Sequence, residues 1–157
     1  MKLRFLIFFL LILLASTDSN AQVTSKNNYT LKIEKFLKES VRGTKSWLVE
    51  CTLTNYSQDT LSYLSMSCSW TDFYSVDRKE YEIDGFECDK NIPTLITIAP
   101  GESRQQVLRL FNRKNLLDSK STKFKVGLNL IITACISNFK KKLKIKNIIW
   151  SNVISLW

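Results

Sequence analysis

The chain lacks the residues that most nucleophilic and metal-dependent sites require. None of its 157 residues is histidine, so a Ser-His-Asp triad, a Cys-His pair and a mixed Cys/His zinc site cannot form. There is no C-x-x-C motif, and the four glycines are too scattered for a phosphate-binding loop. We therefore expect no metal, no cofactor and no enzymatic activity. The chemistry that remains is that of cysteines, carboxylates, lysines and aromatic rings.

The even number of cysteines, at positions 51, 68, 88 and 135, predicts at least one disulfide in an oxidising compartment. Cys51 has the apolar parity of its strand, whereas Cys135 has the opposite parity to its apolar neighbours. A bridge between these two would therefore need a bulge. We predict a Cys68–Cys88 bridge, which closes a loop of roughly 20 residues and stabilises by about 3 kcal/mol on the chain-entropy estimate. Cys51 is then expected to be a buried thiol, in preference to a second bridge.

Carboxylates offer the only acid/base option. Glu80, Glu82 and Asp84 share one parity of a predicted strand, and Glu87 and Asp89 follow. A glycosidase needs two such groups across a cleft, and calcium needs several converging oxygens. No spacing signature accompanies these residues, so we expect a solvated strand face. A carbohydrate-active enzyme using Glu82 and Asp84 is kept as an alternative.

A lysine-rich segment near the C-terminus is the densest charge cluster in a chain of net charge +9. Its members are Lys140, Lys141, Lys142, Lys144 and Lys146. At one end of a sandwich they would attract an anionic envelope polymer or lipid, and the alternative is a solubilising turn. Nucleic acid is not expected as a partner, because only Phe139 is close enough for base stacking.

Aromatic residues cluster around the predicted disulfide. They are Trp70, Phe73, Tyr74, Tyr81 and Phe86. Trp and Tyr are frequent anchors of protein interfaces, so this segment is a candidate protein-binding surface. The alternative is that these rings cover the outer sheet as a minor core.

The N-terminus has the pattern of an export signal. Lys2 and Arg4 precede an apolar run over residues 5–14, and Ser19 and Ala21 place small side chains before a cut at Gln22. This run is too short to span a bilayer. We expect residues 1–21 to be removed, leaving one domain over residues 22–157 with no transmembrane segment, in the periplasm or outside the cell.

Period-two alternation predicts that the rest of the chain is β-structure. Val49, Cys51 and Leu53 alternate with polar residues, and residues 48–70 read as a hairpin whose two strands belong to different sheets. Further strands are expected near residues 29–37, 92–98, 107–111, 124–136 and 148–157, with a short outer hairpin of residues 73–76 and 80–83. Pro100 and Gly101 predict a type II turn.

Roughly seven to nine short strands without a long amphipathic helix predict an antiparallel β-sandwich. An eight-stranded barrel of the lipocalin type is the alternative, because alternation does not reveal whether a sheet closes.

Several short motifs spread over the chain resemble those of small exported bacterial proteins with an immunoglobulin-like domain. They are Leu53-Thr54-Asn55, Cys68-Ser69-Trp70, Cys88-Asp89-Lys90-Asn91, Ile98-Ala99-Pro100-Gly101-Glu102 and Trp150-Ser151-Asn152. The resemblance implies a fold and an exported location, and no activity.

The leading hypothesis is therefore an exported, non-enzymatic binding or assembly module whose partner is a protein or an anionic envelope polymer. A second hypothesis is an inhibitor that presents residues 84–91, held by the disulfide, to an extracellular hydrolase. The carboxylate enzyme is the third.

Overall fold

The computed structural model describes residues 28–41, 44–85, 88–112 and 122–156. The predicted export signal, Phe86 and Glu87 lie outside these ranges. The described residues form the strands β1 (Tyr29–Val41), β2 (Thr44–Asn55), β3 (Leu61–Met66), β4 (Tyr74–Val76), β5 (Tyr81–Ile83), β6 (Pro93–Ile98), β7 (Ser103–Asn112), β8 (Thr122–Phe124), β9 (Val126–Asn129), β10 (Ile148–Trp150) and β11 (Ile154–Leu156). A 3₁₀ helix spans Ser69–Phe73, and a one-turn helix, α1, spans Phe139–Lys142.

The larger sheet has the strand order β1-β2-β7-β5, and all of its pairs are antiparallel. β1 and β2 form a long hairpin whose register shifts between Ile33 and Lys35. Val49, Cys51 and Leu53 are buried on one face of β2, as the alternation predicted. This face packs against the second layer.

The second layer consists of smaller antiparallel sheets. β3 pairs with β6, β9 lies between β10 and β4, and β8 pairs with β11. The segment after β9 joins β3, where the Leu64 N–H donates to the Ile131 carbonyl at 2.9 Å. The described strands therefore form open sheets in an all-β sandwich. The predicted antiparallel all-β sandwich is confirmed, with eleven strands in the described residues instead of seven to nine, and the closed-barrel alternative is wrong.

Aliphatic and aromatic side chains from both layers fill the core. The residues exposed by 2% or less include Val49, Cys51, Leu53, Leu61, Leu64, Leu108, Leu110, Phe124, Val126, Leu128, Leu130 and Ile131. In the described ranges, no helix is long and apolar enough to cross a bilayer.

The predicted outer hairpin is wrong, although its two strands exist, because β4 and β5 belong to different sheets. β2 and β3 also belong to different sheets, as predicted for the two strands of residues 48–70. The side chain of Asn55 explains how the chain changes sheet there. Its amide donates to the carbonyls of Asp59 at 2.8 Å and Ile98 at 3.0 Å, while its oxygen accepts the Ser57 N–H at 3.0 Å. These bonds hold an arch that carries the chain from one layer to the other.

The predicted long strand over residues 124–136 ends early. The alternation holds from Phe124 to Leu130, but Ile131 is also buried and Ile132 is 51% exposed. The reason is a change of partner: the Leu130 N–H donates to Asn147, whereas the Ile131 carbonyl accepts from β3. A segment that changes its backbone hydrogen-bond partner from one strand to another cannot keep every second side chain on the same face.

The predicted closing strand is interrupted at residues 151–153. There the Asn152 side-chain oxygen accepts the Ile33 N–H at 2.8 Å, at the register shift of β1. The Ser151 hydroxyl accepts the Val126 N–H at 3.0 Å. The Ser151 N–H still donates to the Val126 carbonyl at 2.8 Å, but side-chain bonds take over from the ladder at Ser151 and Asn152, and β10 and β11 pair with different strands.

The predicted turn between β6 and β7 is confirmed. The Glu102 N–H donates to the Ala99 carbonyl at 3.1 Å. Gly101 has φ +76°, which a type II turn requires at this position. The turn sets the start of β7, the strand that carries the candidate site.

Candidate binding cleft between the layers

The inward face of β7 changes from apolar to polar along the strand. Leu108 and Leu110 are fully buried. Arg104 and Gln106 continue the same parity, and successive residues of one parity lie on one face of a sheet. In the register with β2, Gln106 lies opposite Cys51 and Arg104 opposite Leu53. The two polar side chains therefore stand on the face that builds the core elsewhere.

A cleft of about 480 Å³ opens at this point between the two layers. β7 contributes Arg104 and Gln106 to it, and Tyr63, Ser65 and Met66 of β3 line it together with Thr94, Leu95 and Ile96 of β6. Ser67, Trp70, Phe73, Tyr74 and Leu128 complete the lining. This size is in the usual range of ligand sites, and the mixture of rings, hydroxyls and one guanidinium suits a partner that is partly apolar and partly polar.

Trp70 and Tyr74 form an aromatic pair at the cleft. Their ring centroids are 5.9 Å apart with planes at 87°, which is the edge-to-face geometry that aromatic rings prefer. Trp70 lies in the 3₁₀ helix directly after Cys68. The predicted Cys68–Cys88 disulfide is confirmed. The Asn91 side-chain oxygen also accepts the N–H groups of Cys68 and Ser69 at 3.3 and 3.2 Å, so both the disulfide and these hydrogen bonds tie the start of the helix to residues 88–91.

Burial sets the protonation of the groups in and next to the cleft. It raises the pKa values of Tyr63 and Tyr74, and the positive charge of Arg104 opposes both shifts. Both phenols therefore stay neutral near pH 7 and can donate hydrogen bonds. Burial also raises the pKa of the Cys51 thiol to about 12. The thiol is free and buried, as predicted, and stays protonated.

The predicted aromatic set is divided between two places. Trp70, Phe73 and Tyr74 line the cleft. Tyr81 belongs to the core: its ring stacks on Phe124 at 5.3 Å and meets Trp47 edge-on at 5.7 Å. The opposite wall, which includes Tyr63, Arg104 and Gln106, is not among the residues that the sequence indicates. Arg104 and Gln106 have the same strand parity as the buried Leu108, and this pattern could have indicated them.

The structure gives Glu82 and Asp84 different surroundings. Asp84 lies 3.5 Å from the Arg109 guanidinium, which also binds Glu39 at 3.2 Å. Glu82 lines a shallower hollow of about 250 Å³ together with Asp72. Asp84 is thus paired with Arg109 and does not line the hollow that contains Glu82. Within the described ranges, no group of three or more His, Cys, Asp or Glu could hold a metal ion.

The lysine-rich segment forms α1 and the turn after it. Lys140, Lys141, Lys144 and Lys146 are exposed. Lys142 is half-buried, and its ammonium donates to the Thr133 hydroxyl and the Cys135 carbonyl, both at 2.7 Å. Lys142 is therefore committed to an internal contact, unlike the other four.

Cys135 is an exposed free thiol beside Lys142. Hydrogen bonds from the Ser137 hydroxyl, 2.9 Å from the sulfur, and from the Lys142 ammonium, 3.4 Å away, lower its pKa to about 7. These donors stabilise the Cys135 thiolate more than desolvation destabilises it. A large fraction of this thiol is ionised at neutral pH.

No protein-family model and no curated protein matches this sequence. Among solved structures, the chain is similar to a FixG-related protein from Vibrio parahaemolyticus, with 13% identity, a TM-score of 0.38 and coverage of 82% of this chain and 96% of that one. It is also similar to the yjhA protein from Bacillus subtilis, with 14% identity, a TM-score of 0.37 and coverage of 79% of this chain and 88% of that one. Neither likeness identifies a function.

Proposed function

We propose that this protein is an exported, non-enzymatic binding module with an immunoglobulin-like sandwich, and that the cleft between its layers receives a segment of a partner protein. The N-terminal pattern of a basic head, a short apolar run and small residues before a cut supports export. The Cys68–Cys88 disulfide also supports it, because disulfides persist mainly in oxidising compartments.

The observation that carries the proposal is the change of β7 from core to cleft. An arginine on the inward face of a sandwich is costly unless water or a partner satisfies it. Here Arg104 and Gln106 face a cleft large enough for a side chain or a short peptide segment. The site keeps its polar groups accessible instead of burying them.

The chemistry of the lining defines the partner segment. Trp70 and Tyr74 offer an aromatic pair, edge to face, for an aliphatic or aromatic side chain. Arg104 offers donors to a carboxylate or a carbonyl oxygen. A segment that carries an apolar side chain next to an acidic one would satisfy both walls.

The test begins with capture from an envelope extract of the source organism, followed by titration of the purified partner. Trp70→Ala should weaken binding at least about ten-fold, because buried Trp residues are frequent hot spots. Val107→Ala is the matched control, since this residue is on the same strand as the cleft residues but points outward and is 51% exposed. Binding should persist at about 0.5 M salt, which screens surface charges.

The proposal fails if the captured proteins are the same with wild type and Trp70→Ala. It also fails if high salt abolishes the complex, because binding would then depend on charge and not on the aromatic cleft.

A further inference from the structure

The segment between β9 and β10 is a closed loop, called here the β9–β10 loop, over residues 130–147. Hydrogen bonds close its neck. The Leu130 N–H donates to the Asn147 carbonyl at 2.8 Å, and the Asn147 N–H donates to the Asn129 side-chain oxygen at 2.7 Å. The Asn129 amide donates to the Ile145 carbonyl at 3.0 Å. The loop is therefore tied at its base to the sandwich.

Contacts inside the loop hold its helical part in place. Phe139, the first residue of α1, packs against the hydrophobic core. Lys142, the last residue of α1, bonds to Thr133 and Cys135. Backbone bonds from Leu143 to Phe139 and from Ile145 to Lys142 continue the turn. The surface that the loop presents is thus built before any partner arrives.

This loop leaves large apolar side chains in solvent. Leu143 is 43% exposed and Ile145 is 51% exposed, and both belong to the ordered turn after α1. Ile136, on the other side of α1, is 39% exposed. Single exposed apolar residues are common, but several on one short, tethered loop indicate an interaction surface.

Unneutralised positive charge lies next to these side chains. Lys140, Lys141, Lys144 and Lys146 are exposed, and no ion pair joins them to a carboxylate in the described part of the chain. No acidic residue follows Asp118 in the sequence. Two of these lysines alternate with Leu143 and Ile145, so charge and apolar surface are interleaved.

We propose that the β9–β10 loop docks onto the surface of an anionic lipid bilayer. Leu143 and Ile145 enter the boundary between head groups and acyl chains, and the four exposed lysines lie among the anionic head groups. Peripheral proteins combine these two contributions, apolar insertion and attraction to acidic lipids. An anionic polymer would satisfy the lysines but offers no hydrocarbon to the two aliphatic side chains. This inference is independent of the protein partner proposed for the cleft.

Vesicle flotation tests the inference with the intact mature protein. The vesicles contain phosphatidylcholine alone, or phosphatidylcholine with roughly one-third phosphatidylglycerol as the anionic lipid. Wild type should bind the anionic vesicles at least about ten-fold more strongly and lose most of this binding between about 0.1 and about 0.5 M salt. Similar binding to both kinds of vesicle, or none to either, would overturn the proposal.

Two sets of substitutions separate the two contributions. Changing the four lysines together, K140Q, K141Q, K144Q and K146Q, should reduce binding to anionic vesicles at least about ten-fold. Leu143→Ser with Ile145→Ser should reduce it to a similar extent while salt sensitivity remains. The matched controls are Lys38→Gln and Leu37→Ser on β1, where Leu37 is 60% exposed. They should bind like wild type, as should Trp70→Ala, and circular dichroism checks that each variant is folded.

Soluble polyglutamate distinguishes a bilayer from an anionic polymer. If the serine double variant binds vesicles as well as wild type, and polyglutamate displaces both equally, the loop is a polymer-binding surface and the bilayer proposal is wrong. If polyglutamate displaces the double variant at much lower concentration than it displaces wild type, apolar insertion is supported.

Discussion

The two halves of β7 lie on the same face of one sheet, but one half contributes side chains to the core and the other contributes them to the cleft. In the half that contains Leu108 and Leu110, the second layer packs directly against the strand and both side chains are fully buried. In the half that contains Arg104 and Gln106, the layers separate and leave a cleft of about 480 Å³. Alternation is therefore the same along the strand, while the distance to the opposite layer decides whether a position builds core or site.

The disulfide and the Asn55 arch lie near the open half. Cys68–Cys88 and Asn91 hold the 3₁₀ helix that carries Trp70. Asn55 ties the end of β2 to Asp59 and Ile98, where the chain changes layer. Covalent and polar links thus support the half that lines the cleft, and the closed half depends on packing.

The closed half should be far more sensitive to truncation than the open half. Leu108→Ala leaves a cavity among fully buried side chains, so we expect a loss of about 3 kcal/mol in the free energy of unfolding. Arg104→Ala should change it by less than about 0.5 kcal/mol, since this side chain is exposed. Urea denaturation measures both, and similar losses for the two variants would remove the distinction between the halves.

The disulfide prediction concerns the wall of the open half. Replacing Cys68 and Cys88 together by Ser should lower the free energy of unfolding by about 3 kcal/mol, because the bridge no longer restricts the unfolded chain. Cys135→Ser is the control, since this thiol is free and exposed, and it should leave stability unchanged. A double variant as stable as wild type would show that the bridge does not stabilise the domain by restricting the unfolded chain.

Much of the fold could be predicted from the sequence, because the evidence for it is local. Alternation placed Val49, Cys51 and Leu53 inward, and proline followed by glycine marked the turn before β7. Strand pairing could not be predicted in the same way. The sequence predicts correctly that the strands on either side of residues 55–59 belong to different sheets, but it does not show that β4 pairs with β9 and β5 with β7.

The candidate site was harder to predict than the fold. Trp70, Phe73 and Tyr74 were identified from residue type and from their position near the disulfide. Tyr81 was assigned with them, yet it packs against Phe124 in the core. Arg104 was missed because its role depends on the gap between two layers, which is a tertiary property.

Cysteine reactivity tests how far the cleft extends into the sheet. Alkylation requires a thiolate, so Cys135, with its pKa lowered to about 7, should react with iodoacetamide in the folded protein. Cys51 lies beside Gln106, is buried and has a pKa raised to about 12, so it should react only on unfolding. Peptide mass spectrometry after brief labelling at about pH 8 measures both sites.

The pH dependence of this labelling has a definite sign. Lowering the pH from about 8 to about 6 protonates Cys135 through its pKa and should slow its alkylation several-fold. Lys142→Met should also slow it at neutral pH, since one donor to the sulfur is lost. Rapid labelling of Cys51 in the folded state would mean that the open half extends past Gln106 into the core.

Arg104→Ala, studied by two methods on one sample, tests the central claim most directly. Calorimetric titration with the captured partner gives the affinity, and urea denaturation gives the stability. The account predicts that affinity falls at least about ten-fold while the free energy of unfolding stays within about 0.5 kcal/mol of wild type. An unchanged affinity for the partner would contradict it.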